Sequence, residues 1–432
     1  MIDVDLSLGQ DTHVRKALSG LLILVLSIPL SSLAAVSAPK AGNACPKNGA
    51  TQSYKGLKFT CIKSGKKLLW DKGVKVNSSS ATAKPVPTPF PSPTSSPAAT
   101  PEPSFSPTPR PLPSSSTSTF VEPLAPTSFQ DLEFRKEGIN YWAWKKANQK
   151  IKNTSPNLGT IKISTGPNTV PDNPNPMIAI TLVSRLFGNF NQAREVRVVY
   201  ASEKDIEWGQ SQINSLCPEY ECGYDVKGEA KKACNIPVTP CWGGLAVRNA
   251  KLEIPMIYMT ASDWGKSDAN HTQGTLEAHE YAHTIQQLNA VLGKSNGWYT
   301  IPRWLVEGGA TWIQSSSVFY DNYISYLTER NRNIQDLKSR IHPNSEWIVT
   351  FLNPEPVKDW LFWEKYENWR LYDVGLLATE ILASIGGPDA IMDIFKGVGE
   401  GNTFTDVFEK VFGITWKQAV PILARIIEAE TN

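Results

Sequence analysis

Apolar residues recur along the chain with two periods, and the change of period divides it. In Tyr54-Lys55-Gly56-Leu57-Lys58-Phe59-Thr60, followed by Leu68-Leu69-Trp70, apolar and polar positions alternate, which predicts a small hairpin. Short apolar runs rich in β-branched residues at 178–183, 195–200 and 254–259 predict strands. From Thr275 onward the spacing lengthens to three and four. Leu276, Ile285, Leu288 and Leu292 recur at helical spacing, with Thr275 after Gly274 as the expected N-cap. Further helices are expected just after Pro302 and over 320–340, 376–385, 390–396 and 416–428. The pattern reads as an α+β domain over 128–432, sheet-rich in its first half and helical in its second.

Composition adds the segments in front of that domain. Arg15 and Lys16 precede an uncharged run over 17–39 with an apolar block at 21–26, and Ser31, Ser32, Ala34, Ala35, Ser37 and Ala38 follow. A basic start, an apolar centre and a small-residue end predict a secretory signal peptide over 1–38, with an uncleaved membrane anchor as the alternative, the one case in which a membrane is a partner. Asp3, Asp5 and Asp11 do not suit a basic leader, so a true start at Val14, read from an alternative start codon, is expected. No later segment reads as long and apolar enough to cross a membrane. Fourteen of the 32 prolines fall between Pro85 and Pro126 among Ser, Thr and Ala, which makes 78–127 a linker. Such a chain buries too little apolar surface to offset its entropy and acts as a semi-rigid spacer.

The segment 39–77 is a small basic module. Between Lys40 and Lys75 it has nine lysines against one acid, Asp71. A unit this small needs a staple, which a Cys45–Cys61 disulfide in an exported chain supplies. Its lysines suit an anionic cell-wall polymer as partner, or simply a solvated surface. Cys217, Cys222, Cys234 and Cys241 cluster farther on at a spacing unlike a zinc finger, so two disulfides are expected there, with the pairing open. The formal net charge of +2 singles out neither nucleic acid nor a bulk acidic substrate as partner.

The chemistry centres on His279-Glu280-Tyr281-Ala282-His283. On a helix His279 and His283 project from one face, one turn apart, and can meet one metal ion. Glu280 lies beside the first of them and can act on a metal-bound water without coordinating the metal. The chain has only five histidines, so such a pairing by chance is improbable. Zinc held by two imidazoles needs a third protein ligand and an open position. Glu307 comes twenty-four residues after His283, inside the apolar Trp304-Leu305-Val306-Glu307-Gly308-Gly309-Ala310, where a carboxylate is costly to bury without a partner.

His-Glu-Tyr-Ala-His at 279–283 and Trp-Leu-Val-Glu-Gly at 304–308 together resemble the metal core of the gluzincin peptidases of the MA clan, the aminopeptidase-like zinc enzymes with a glutamate as third ligand. Leu371-Tyr372-Asp373-Val374-Gly375 is similar to the Tyr-x-x-Gly motif of those relatives, whose tyrosine stabilises the oxyanion. The basic module is likewise similar to a short two-cysteine module of exported actinobacterial proteins. The first resemblance covers the chain from about Trp242 onward and implies a zincin-like fold. It also implies Zn2+ on His279, His283 and Glu307, with Glu280 as general base and Tyr372 on the oxyanion. Two departures matter. The His283–Glu307 interval is longer, by residues around 293–300, and the Gly-x-Met-Glu-Asn signature for a substrate amino terminus is missing where 252–259 reads Leu-Glu-Ile-Pro-Met-Ile-Tyr-Met.

The expected activity is therefore that of a secreted or wall-associated zinc endopeptidase acting on peptides or proteins. The run 251–259 is expected to line the cleft and pair with an extended substrate. Trp360, Trp363 and Trp369 read as packing residues. A non-catalytic wall-binding protein with a peptidase-like domain is the rival, although all five site residues are present.

Overall fold

The computed structural model describes residues 40–45, 47, 51–54, 57–64, 67–75, 120–234, 241, 243–263, 265–291, 297–353 and 369–432. They fall into two units, 1–112 and 113–432. The leader, most of the linker, Trp360 and Trp363 lie outside the described residues.

In the first unit the expected hairpin is part of a four-stranded antiparallel sheet. Strands β1 (Thr51–Tyr54), β3 (Lys67–Trp70) and β4 (Val74–Lys75) all pair with β2 (Leu57–Ser64). The core is only Phe59, Cys61 and Trp70, with Cys45 and Leu68 against it. The Cys45–Cys61 disulfide runs through this core. Asp71 turns inward, its Oδ1 accepting the backbone N–H groups of Thr60 and Gly73 at 2.9 Å each.

The second unit begins earlier than the sequence suggests. Residues 120–127, read as linker, pack on helix α1 (Ile139–Asn153). There the Tyr141 hydroxyl donates to Glu122 at 2.8 Å and the Trp142 indole to the Pro123 carbonyl at 2.8 Å. The chain continues through β5 (Thr160–Thr165), α2 (Pro176–Leu186), β6 (Glu195–Ser202), α3 (Ile206–Leu216) and α4 (Glu229–Ala233). Next come β7 (Gly244–Asn249), β8 (Ile254–Ala261), the one-turn α5 (Ala269–Thr272), α6 (Thr275–Ala290) and α7 (Arg303–Val318). The last helices are α8 (Tyr323–Asn333), α9 (Ser345–Leu352), α10 (Arg370–Gly399), α11 (Phe404–Phe412) and α12 (Trp416–Thr431). The fold is mixed α/β, in keeping with α+β.

The sheet runs β5-β6-β8-β7, with β5, β6 and β8 parallel and β7 antiparallel at one edge. Alternation along the strands covers both faces. Val196, Val198, Tyr200, Ile257 and Met259 join the main core with α1, α2 and α6, while Val199, Val247, Met256 and Tyr258 pack on α3 and α4.

Five expectations give way. The run 178–183 is not a strand but lies in α2. Pro176 presets the first helical position, and Ala179, Ile180 and Val183 reach the core while Ile178 stays 63% exposed, a helical periodicity. Thr275 is not the N-cap. Gly274 takes that place at φ +86°, turning the chain sharply out of α5, and Thr275 is the first residue inside. The segment 320–340 ends as a helix at Asn333 and resumes only as a π turn at Leu337–Ile341. The helices expected at 376–385 and 390–396 belong to one element, α10, kinked where Gly387 takes φ +74° ahead of Pro388. Joined, they are long and apolar enough to cross a membrane, contrary to the sequence reading. In the fold 83% of that window is buried, as in a core helix.

Helices α7 and α10 cross with their backbones in contact. A Cβ built on Gly308 would stand 2.1 Å from the Gly375 carbonyl carbon, and one on Gly375 would stand 2.3 Å from the Trp304 carbonyl oxygen. Neither position tolerates a side chain without separating the helices. Gly308→Ala is expected to destabilise the protein by about 3 kcal/mol, the upper end of overpacking costs. A urea midpoint equal to that of the parent protein would show that the crossing yields freely.

Candidate metal centre

Three ligand atoms converge beneath the sheet edge. His279 and His283 rise from one face of α6, and Glu307 comes from the first turns of α7, which packs along it. The two imidazole Nε2 atoms are 3.1 Å apart, and Glu307 Oε2 lies 3.4 Å from His283 and 3.6 Å from His279. All three ligand atoms fall within 4.8 Å of one another, and both imidazoles are buried.

The other ring nitrogens are held by glutamines. His279 Nδ1 lies 2.8 Å from Gln314 Oε1, and His283 Nδ1 lies 2.8 Å from Gln286 Oε1. The Gln286 amide is oriented by its own donation to the Val306 carbonyl at 3.2 Å. A carbonyl oxygen only accepts, so both Nδ1 atoms carry hydrogen, and a ring without a second proton turns its Nε2 lone pair inward. Two lone pairs and a carboxylate oxygen then face one another, which repels unless a cation stands between them. The donor set fits one metal ion, with room for a further ligand on the cleft side.

Electrostatics agrees. Burial alone would lower the His283 pKa, but the Glu307 carboxylate raises it to about 9. Burial likewise works to raise Glu307, yet His283 and His279 hold it well below the ordinary carboxylate value. Burial raises Glu280 and the Glu307 charge adds to this, against the two histidines. Tyr372 is pushed well above an ordinary phenol by burial and by the Glu307 and Glu280 carboxylates, so it stays protonated and able to donate.

Glu280 and Tyr372 both line a cleft of about 500 Å³ that opens onto His279. The Tyr372 ring stacks on His279 with centroids 5.8 Å apart. All five sequence-derived residues therefore meet in one place. Trp369, read as a packing residue, is 55% exposed, lines the cleft and leans on Tyr372 at 5.7 Å. The expected substrate strand also moves. The run 251–259 lies mostly in β8, paired on both sides, and the edge strand beside the site is β7, which carries no carboxylate.

Sequence reasoning missed Gln286 and Gln314, although Gln286 follows His283 by three and Gln314 follows Glu307 by seven, both same-face helical spacings. It also missed Arg370 and Asp373, buried in the cleft wall with an ion-pair distance of 2.9 Å; burial raises Asp373 to about 7 despite Arg370. The cysteines pair locally, Cys217 with Cys222 and Cys234 with Cys241, which excludes a four-cysteine metal site.

In the metal-free protein a proton on His283 takes the cation's place. Its folded pKa is raised, so the stabilisation it brings is complete below the ordinary value of about 6.5 and is lost as pH rises through about 9. Metal must displace that proton. Affinity is expected to rise about tenfold per pH unit between pH 6 and 8, the slope of one released proton, and the thermal shift on metal addition to grow with pH. Chelator competition at pH 6, 7 and 8 measures the slope, and a flat response would contradict it.

No known protein family, curated protein or solved structure matches the chain.

Proposed function

We propose that the chain is an exported zinc-dependent peptidase that cleaves within peptide or protein chains. The observation that carries this reading is the convergence of His279, His283 and Glu307 at one point, with Glu280 beside them at an open cleft. Two imidazoles and one carboxylate with a free position are the donor set of hydrolytic zinc sites. The resemblance to gluzincins points the same way. Three disulfides among six cysteines, with no free cysteine, favour an oxidising compartment.

Zinc, when bound, supplies a Lewis acid that polarises the scissile carbonyl and lowers the pKa of water towards about 7. Glu280, kept basic enough by its burial, takes the proton of the attacking water and hands it to the leaving amine. Tyr372 donates its phenol hydrogen to the developing oxyanion. The edge strand β7 beside the cleft offers backbone groups to an extended substrate, and its lack of a carboxylate leaves nothing on that strand to capture a substrate amino terminus, which favours internal cleavage. The basic module suits an anionic wall polymer. Its only acid is engaged by its own backbone, and Lys58, Lys63, Lys67 and Lys72 are exposed.

The purified full chain is expected to hold one zinc, lost in His283→Ala and Glu307→Ala. Glu280→Gln should keep the metal and lower kcat about a thousandfold or more, and Tyr372→Phe should lower it about a hundredfold. A parent protein without zinc, or a Glu280→Gln variant with full activity on a labelled unfolded protein, would sink this reading.

A further inference from the structure

One wall of the cleft is built from backbone held in place by restraints that lie outside the metal centre. Lys232 and Ala233, at the end of α4, line the cleft from one side of the Cys234–Cys241 disulfide, and Gly243 and Gly244 line it from the other. Both half-cystines are fully buried. Cys241 takes φ +50°, a left-handed conformation uncommon for a residue with a side chain and kept only where the surroundings enforce it. Two residues on, the Gly243 carbonyl accepts two hydrogen bonds from Thr260, from its N–H at 2.9 Å and from its hydroxyl at 2.6 Å. Gly244 then enters β7 opposite Met259.

Glycine at 244 is required first by the Tyr258 backbone carbonyl, with the stem of Glu280 next closest. A Cβ there would stand 3.0 Å from Glu280 Cγ, 3.0 Å from Met259 Sδ and 2.7 Å from the Tyr258 carbonyl oxygen. The start of the strand therefore runs close against the methylene stem of Glu280. Farther along, the Gln287 amide of α6 reaches the Ala246 carbonyl at 3.4 Å and ties the same helix to the same strand.

We propose that the Cys234–Cys241 cross-link, the Thr260 hydroxyl and the bare Cα of Gly244 are positioning elements. They hold the start of β7 against Glu280 and fix the direction of its carboxylate without taking part in metal binding. A stem packed on one side has fewer rotamers open to it, so the carboxylate stays aimed into the cleft and water is kept from that flank. The catalytic consequence rests on the hydrolytic reading above, whereas the positioning itself does not.

The test uses the zinc-loaded full chain in three forms besides the parent: Cys234→Ser with Cys241→Ser, Thr260→Val, and Cys217→Ser with Cys222→Ser as control. Zinc per chain, amide hydrogen exchange over 244–249, and kcat and KM on a labelled unfolded protein are measured. Both test variants should keep one zinc, exchange over 244–249 at least about tenfold faster, and lose about ten- to a hundredfold in kcat/KM, mostly in kcat. Thr260→Ser, which retains the hydroxyl, should stay within about twofold of the parent, as should the control pair. Unchanged exchange over 244–249 in both test variants overturns the proposal, and so does loss of zinc from both, which would make the segment a support of the metal ligands. Should the double serine variant not fold, Thr260→Val alone decides. A parent that cleaves nothing overturns the hydrolytic reading, and the exchange and zinc measurements still decide the positioning.

Discussion

Backbone contact between α7 and α10 at Gly308 and Gly375 is the constraint on which the site depends. Glu307 immediately precedes one glycine, and Tyr372 lies one helical turn before the other. Bringing the two backbones together therefore sets the Glu307 carboxylate and the Tyr372 phenol over the same imidazoles in a single step. The crossing is buttressed from outside the cleft. Trp304, one turn before Gly308, stacks on Trp416 of α12 at 5.8 Å and donates its indole hydrogen to the Leu352 carbonyl at 3.0 Å. Arg330 of α8, itself buried, clasps Glu380 of α10 with hydrogen bonds of 2.7 to 2.9 Å and so ties down the same long helix. A buried ion pair of this kind is weak support for net stability, but removing either partner strands a charge, which favours one arrangement of the helices over others.

Around the ligands the protein uses neutral partners. Gln314 and Gln286 set the tautomers of His279 and His283 without adding negative charge, so Glu307 is the only carboxylate among the three ligand groups. Gln286 reports on helix packing as well, since it reaches across to the Val306 carbonyl of α7. The candidate metal site and the docking of α6 on α7 are thus one hydrogen-bonded unit, and loosening either should loosen the other.

Where the sequence misled, the cause was a competition that only packing resolves. The apolar run at 178–183 has strand-like composition, but the helix started by Pro176 covers the sheet with Ala179, Ile180 and Val183 and leaves Ile178 in solvent. The strand at the cleft could not be told from its neighbour, because 244–249 and 254–261 are both short and apolar and nothing local says which lies at the edge. Residues 120–127 share the linker's proline and so read as linker, although Glu122 and Pro123 are engaged by Tyr141 and Trp142.

The sequence by itself determined that His279 and His283 share one face, because a helix converts a spacing of four into a shared face, and five histidines leave few ways to make such a pair. It also determined the small staple of the basic module, since Cys45 and Cys61 are its only cysteines, and it pointed to Glu307 through the cost of an acid in an apolar helix. Only the tertiary structure decided which carbonyls orient the imidazoles, which cysteines of the four pair, which strand borders the cleft and why Gly244, Gly308 and Gly375 carry no side chain. Each of these depends on two segments distant in sequence meeting at a distance of a few ångströms. Local periodicity records the face a residue shows, but not the partner that comes to meet it.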